Sequence, residues 1–254
     1  MIEFMKELAV EAGKLSLAEF ARMNHDQVEY KSARDIVTVA DKAVEQLIYA
    51  RVTRETPDYA FFGEESGRTA AKSDYCWVID PIDGTASFAA ELPIYCVSIA
   101  LQYRGETVKA AIYAPRLGEL FWAEKGGGAF LNDRRLQVSS CAELSDAMLA
   151  TGFACLRAGL KENNLPRFNR IAPLVRGISR LGSAAIDLCY VAAGRFAAYW
   201  EIGLQPYDYA GGMLLVTEAG GTIGDLDGGH DLARRGIVAT NVAIDRELLP
   251  YLRA

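Results

Sequence analysis

The sequence predicts a mixed α/β (α+β) protein, and three observations carry the prediction. Two helical patterns open the chain, short strands separated by glycine turns fill its middle, and strands alternate with helices through its second half. The style changes near residues 137–145 without a flexible linker. This divides the chain into an amino-terminal α+β unit over 1–138 with an antiparallel sheet and a carboxy-terminal α/β unit over 139–254, sharing one interface. At 254 residues, 51% apolar and 24% charged, the chain has material for a large buried core and no biased tract that argues for disorder.

Taken in order, Met5, Leu8, Ala9, Ala12 and Leu15 recur at helical spacing and predict an amphipathic helix over the first twenty-odd residues. A second helix starts after Thr38 or Asp41, carries Val44, Leu47, Ile48 and Val52 on one face, and ends before Pro57. The apolar run Tyr75 to Ile79 reads as a buried strand that Pro81 stops, with a helix beginning near Ser87. Strands follow over Val97 to Tyr103, Thr107 to Tyr113, Glu119 to Ala123 and Ala129 to Leu131, and the glycine turns between them predict an antiparallel meander. Beyond Ser140 come a strand over Ala147 to Thr151, a helix near Pro166 to Val175, a strand over Ile178 to Arg180 and a helix over Ala184 to Ala193. A strand over Ala197 to Glu201, a helix from Tyr209 to Ala219 and a strand near Thr222 complete the alternation.

Composition excludes several function classes. The net charge is −6 and Lys and Arg form no dense run, which argues against nucleic acid as a partner. The first twenty residues interleave Glu3, Lys6, Glu7, Glu11 and Lys14 with apolar positions, unlike a signal peptide, and no run of about 18 apolar residues suits a membrane span. A cytoplasmic location with no membrane partner is therefore expected. The five cysteines (Cys76, Cys96, Cys141, Cys155, Cys189) are odd in number and scattered in apolar surroundings, so they read as reduced, packed thiols.

The strongest chemical signal is Asp80-Pro81-Ile82-Asp83-Gly84-Thr85, at the end of the buried strand. Two carboxylates three residues apart in a tight turn can face one point as hard oxygen ligands suited to Mg²⁺. Gly84 lets the backbone approach a ligand, and the amides of Gly84 and Thr85 at a helix start suit a phosphate. The plainer alternative is an acidic turn with Asp83 as a helix cap. Glu64 and Glu65 follow an aromatic pair and, standing alone, fit an exposed acidic loop; only one of the two can face inward if the backbone is extended. Asp208 fits an N-cap of the following helix.

Together, Glu64, Asp80, Asp83 and Asp208 in this order resemble the inositol monophosphatase family of metal-dependent phosphatases. The matching stretches are Gly63-Glu64-Glu65-Ser66, Trp77 to Thr85, Tyr207-Asp208-Tyr209-Ala210-Gly211 with Thr217 to Gly221 behind it, and Asp35 to Asp41 near the start. The resemblance implies an α-β-α-β-α layered sandwich, with most metal ligands in the first unit and substrate-recognition residues in the second. It implies metal ligation by Glu64, Asp80, the carbonyl of Ile82, Asp83 and Asp208, with two or three Mg²⁺ ions, Mn²⁺ as a substitute, and inhibition by Li⁺ and Ca²⁺. Asp41 and Thr85 would form the dyad that orients and deprotonates water, with Glu64 also in the catalytic set. A carboxylate receiving the hydroxyl proton leaves the threonine oxygen free to act on that water. Substrate would meet Glu64, Ile82, Asp83, Gly84, Thr85, Gly182, Ser183, Ala184, Glu201 and Asp208. Read alone, Glu201 is a strand-end acid facing solvent; in the resembling family an acid at this spacing, seven residues before Asp208, contacts the sugar-like ring, which implies that Glu201 would accept hydrogen bonds from polyol hydroxyls.

The implied reaction is hydrolysis of a small phosphate monoester, inositol monophosphate to inositol and phosphate, by metal-activated water without a phosphoenzyme. The implied substrate is a small phosphorylated polyol or amino alcohol, and the implied assembly a homodimer. Histidinol-phosphate phosphatase, fructose-1,6-bisphosphatase and nucleotide 3′-phosphatase activities are alternatives on the same fold, and a non-catalytic regulator is the alternative from another class. The sequence departs from the family at Thr85-Ala86-Ser87-Phe88-Ala89-Ala90-Glu91, where Thr-Thr-Asn-Phe and then His-Gly are usual, and at Tyr207, where tryptophan is common. The first departure bears on specificity and not on metal binding. Lys31, His25 and His230 read as surface residues outside the catalytic set.

Overall fold

The computed structural model describes residues 1–22, 28–32, 35–70 and 72–253. His25 lies outside the described residues, as does the side chain of Lys31. Helix α1 (Ile2–Phe20) buries Met5, Leu8, Ala9 and Ala12, the stripe its periodicity marks. A hairpin, β1 (Val28–Ser32) and β2 (Asp35–Thr38), leads into α2 (Val39–Glu55). Thr38 starts that helix through a capping box: its Oγ1 accepts from the Asp41 amide at 3.4 Å, and its own amide donates to Asp41 Oδ2 at 2.8 Å.

Next come β3 (Ala60–Gly63), β4 (Gly67–Arg68), β5 (Tyr75–Asp83) and the five-residue helix α3 (Thr85–Ala89). The predicted meander follows as β6 (Cys96–Tyr103), β7 (Glu106–Ala114), β8 (Glu119–Glu124), β9 (Gly128–Leu131) and β10 (Arg134–Arg135). These strands form one eight-stranded sheet in the order β10-β9-β8-β7-β6-β5-β3-β4, antiparallel except where β3 runs beside β5. One face is covered by α1 and α2, whose Leu8, Val44, Ile48 and Val52 pack on Trp77, Ile79 and Ile99.

Pro81 does not stop the strand, contrary to the sequence reading. β5 runs on to Asp83, and its pairing with β6 slips between Asp80 opposite Ser98 and Asp83 opposite Cys96. A proline has no amide hydrogen for a ladder, and a bulge is where a strand tolerates it. On its other side β5 pairs with β3 only as far as Ile79 opposite Gly63, so Asp80 to Asp83 reach past the end of β3.

The second half contains β11 (Met148–Thr151), α4 (Ala154–Arg157), α5 (Leu165–Ile171), β12 (Gly177–Ser179), α6 (Ala184–Ala192), β13 (Ala198–Glu201) and α7 (Pro206–Glu218). It closes with β14 (Thr222–Gly224), α8 (Leu232–Arg235), β15 (Ile237–Thr240) and α9 (Asp245–Arg253). Its sheet has the order β12-β11-β13-β15-β14, parallel at β12, β11 and β13 and antiparallel beyond. Helices α6 and α7 pack on each other between the two sheets, and α5 and α9 cover the far face, where Ile171, Leu248 and Leu252 cluster with Leu149, Trp200 and Val238. Helix α6 is apolar nearly all round, as a helix with a layer on each side must be. The result is the α-β-α-β-α sandwich. Helix α7 begins three residues earlier than its sequence pattern suggested, because Pro206 sits at its first position, where a missing amide hydrogen is harmless. Among the described residues, no helix is long and apolar enough to cross a membrane.

Candidate metal centre and active site

The end of β5 delivers Asp80 and Asp83, both buried, to the floor of a cavity of about 330 Å³. Gly84 turns the chain there with φ of 101°, and a Cβ at that position would stand 3.0 Å from the Ile94 carbonyl oxygen. Both the backbone conformation and the crowding therefore require glycine. The Ile82 amide donates to Asp80 Oδ1 at 3.1 Å, which fixes that carboxylate. Asp208 arrives from the other half on α7, which packs against β5. It is the third residue of the helix and not its N-cap: its Oδ2 accepts from the Gln205 amide at 2.6 Å. One carboxylate oxygen from each of Asp80, Asp83 and Asp208 lies within 4.8 Å of the others.

Glu64 lines the same cavity but stands outside that tight trio. Its amide donates to the Ile79 carbonyl at 3.2 Å, tying the turn after β3 to the strand that carries Asp80. A residue absent from the sequence reading holds this turn. Glu45, buried on α2, accepts from the Glu65 amide at 2.9 Å and the Ser66 amide at 2.8 Å. Its carboxylate lies against Gly63, where any side chain would collide with it. The available signal was an acid beside Val44 and one turn from Ile48 on the helix face that packs inward.

Burial raises Asp80 well above the usual carboxylate range, and the charges of Glu64, Asp83 and Asp208 raise it further. Burial likewise pushes up Asp208, with Asp83 adding to the effect. Burial raises Asp83 to about 6 against the opposing hydrogen bonds from Ser183 and the Ala185 amide. Like charges crowded in a low-dielectric pocket need protons or a cation to compensate them. Three converging carboxylate oxygens, in a cavity that Ile82 also lines, form an all-oxygen donor set, which fits a hard divalent cation.

Beside the trio, Thr85 Oγ1 lies 3.2 Å from Asp41 Oδ1 and 3.0 Å from the Ile82 carbonyl oxygen. A hydroxyl has one proton, so the two acceptors share it. Asp41 is held by the capping box, with its Oδ2 also receiving Thr38 Oγ1 at 2.5 Å. Burial raises Asp41 to about 7, opposed by these bonds from Thr38. The Asp41–Thr85 pair read from the sequence is thus brought together.

Gly182, Ser183 and Ala184 line the cavity at the start of α6. Ser183 is held by protein partners: its hydroxyl donates to Asp83 Oδ2 at 2.7 Å and accepts from the Ile186 amide at 3.3 Å. The Ala185 amide donates to the same Asp83 oxygen at 2.6 Å, so the start of α6 aims Asp83 and leaves its other oxygen to the cavity. Glu201 also lines the cavity, pinned by the Ala154 amide at 2.7 Å and by the Tyr199 hydroxyl at 2.5 Å. Burial raises its carboxyl too. Arg157, Arg180 and Asp187 complete this end of the pocket, and none of the three was singled out from the sequence. His230 is exposed, as expected.

Comparison with known proteins agrees with the geometry. The chain is 41% identical over 255 residues to the inositol-1-monophosphatase of Mesorhizobium japonicum, covering 100% of this chain and 96% of the relative. It is 41% identical over 259 residues to the Nus factor SuhB of Pseudomonas aeruginosa, with the same coverage. Among solved structures, the extragenic suppressor protein suhB from Bartonella henselae superposes with a TM-score of 0.92 at 37% identity, covering 99% of this chain and 97% of that one. The inositol monophosphatase from Anabaena gives 0.89 at 36% identity, covering 99% and 94%. A family model described as the inositol monophosphatase family matches residues 1–254, and the chain belongs to that family of phosphoric monoester hydrolases.

Proposed function

We propose that the protein is a Mg²⁺-dependent phosphatase that hydrolyses inositol monophosphate, or a closely related phosphorylated polyol, to the free polyol and phosphate. The observation that carries this reading is the convergence of Asp80, Asp83 and Asp208 beside the Thr85–Asp41 pair in one cavity. Asp80, Asp83, Asp208, Glu64 and the Ile82 carbonyl would hold the cation. When bound, Mg²⁺ supplies charge neutralisation for the phosphate and the departing oxygen and lowers the pKa of a nearby water.

The chain's own residues supply orientation and proton transfer. With Asp41 taking the Thr85 hydroxyl proton in a hydrogen bond, the threonine oxygen accepts from a water and holds it for in-line attack on phosphorus. As the new P–O bond forms, that water's proton passes through Thr85 to Asp41, whose raised affinity suits a base working near neutrality. The polyol oxygen leaves with the electron pair of the broken P–O bond and is protonated from solvent. Glu201 accepts hydrogen bonds from polyol hydroxyls at the far wall.

All five cysteines are unpaired, which supports a reducing, cytoplasmic setting. The net charge of −6 supports a small-molecule substrate over nucleic acid. The test is phosphate release from inositol 1-phosphate, histidinol phosphate and fructose 1,6-bisphosphate with and without Mg²⁺. Magnesium-dependent release fastest from the inositol ester is expected; equal or faster release from histidinol phosphate would overturn the substrate choice.

A further inference from the structure

Asp187 has no place in the mechanism above, yet it is one of the most confined carboxyls in the molecule. It is 1% exposed, its Oδ1 has no hydrogen-bond partner, and it lines the cavity. A buried polar atom without a partner is costly, and native structures rarely leave one unless a ligand or an ordered water completes it. The position points to the ligand. Ser183, at the cap of α6, is bonded to Asp83, and the Asp187 amide donates to the Ser183 carbonyl at 3.0 Å. Asp187 therefore lies on the same helix face one turn onward, a rise of about 6 Å beyond the residue that aims Asp83.

A phosphate held at the trio would carry its ring within the same cavity, which Asp187 lines. Glu201 faces the same space from the end of β13, with its two oxygens fixed by Ala154 and Tyr199. Two carboxyls lining one cavity match the paired donors of a vicinal diol. We propose that Asp187 is a specificity-determining residue, its carboxyl receiving a ring hydroxyl of the phosphorylated polyol while Glu201 receives the neighbouring one. This rests on the polyol reading above and extends it to a residue that the Asp80–Asp83–Asp208 cluster does not require.

The experiment compares inositol 1-phosphate with 4-nitrophenyl phosphate, which has no ring hydroxyls, and reads the ratio of their kcat/KM values. In Asp187→Ala this ratio falls roughly 10- to 100-fold, mainly through KM for the inositol ester. Asp187→Asn, which keeps an acceptor oxygen in place, recovers most of the ratio. A purely structural role would move both substrates together. A ratio in Asp187→Ala within twofold of the wild type, or an equal loss in Asp187→Asn, overturns the proposal; the first result would mean that ordered water alone completes Oδ1. Melting temperatures of both variants report whether they fold. A wild-type enzyme that cleaves the nitrophenyl ester but not the inositol ester defeats the polyol reading itself, and that failure is visible before any variant is made.

Discussion

Replacing Asp83 by Asn should stabilise the metal-free protein while abolishing its activity. Burial holds the Asp83 carboxyl at about 6, against an ordinary value of 3.8. A folded-state pKa above the unfolded one means that the native state binds more protons between those values, so metal-free stability is full below about pH 4 and falls as pH rises through about 6. A difference of roughly two units is about 3 kcal/mol at pH 8, an order-of-magnitude figure for a carboxylate among like charges. Asn removes that burden, and its amide oxygen can still accept from the Ser183 hydroxyl and the Ala185 amide. Its amide NH₂ then faces the cavity, where the proposed cation needs an oxygen. In EDTA at pH 8, Asp83→Asn should melt roughly 5–10 °C above the wild type, and the gap should shrink to about half near pH 5 and close below about pH 4, where Asp83 is protonated in the folded and the unfolded state alike. Adding Mg²⁺ should raise the wild-type melting temperature strongly and the variant's little, with phosphate release lost in the variant. A metal-free variant that melts below the wild type at pH 8, or one that keeps Mg²⁺-dependent turnover, would refute this reasoning.

Two other substitutions separate the parts of the site. Thr85→Ala removes the hydroxyl shared between Asp41 and the Ile82 carbonyl, and should lower kcat by roughly 10²- to 10⁴-fold. The Mg²⁺ concentration at half-maximal rate should stay within a few-fold, as a Mg²⁺ titration of initial rates would show. Glu45→Ala deprives the Glu65 and Ser66 amides of their acceptor, and should cost about 2–4 kcal/mol in urea denaturation. Because those amides anchor the turn bearing Glu64, it should also raise the Mg²⁺ requirement; an unchanged requirement would mean that the turn holds without Glu45.

What the sequence revealed divides along the range of the interactions. Asp80, Asp83, Gly84 and Thr85 were legible because their geometry is set within six residues of one turn. Asp208 was legible only through family resemblance, since what brings it to Asp83 is the packing of α7 on the opposite half's sheet. The resemblance gave Ser183 a place against the substrate and the pattern marked the helix start that lines the pocket, but neither could show that its hydroxyl bonds Asp83, which lies far away in the chain. Pro81 misled for a related reason, because a bulge against β6 is a property of two strands and cannot be read from one. The hairpin of β1 and β2 and the late elements β15 and α9 went unpredicted; they are short, and their pairing and packing partners lie elsewhere in the chain. Glu45 and Asp187 were passed over because an acid on a buried helix face is noticed only when the burial itself is known.

The most direct test is anomalous diffraction from a crystal of this protein equilibrated with Mn²⁺. Strong peaks bonded to oxygens of Asp80, Asp83 and Asp208, with Glu64 close by, are the predicted result. A well-ordered cavity with no manganese among those side chains would contradict the metal-dependent account.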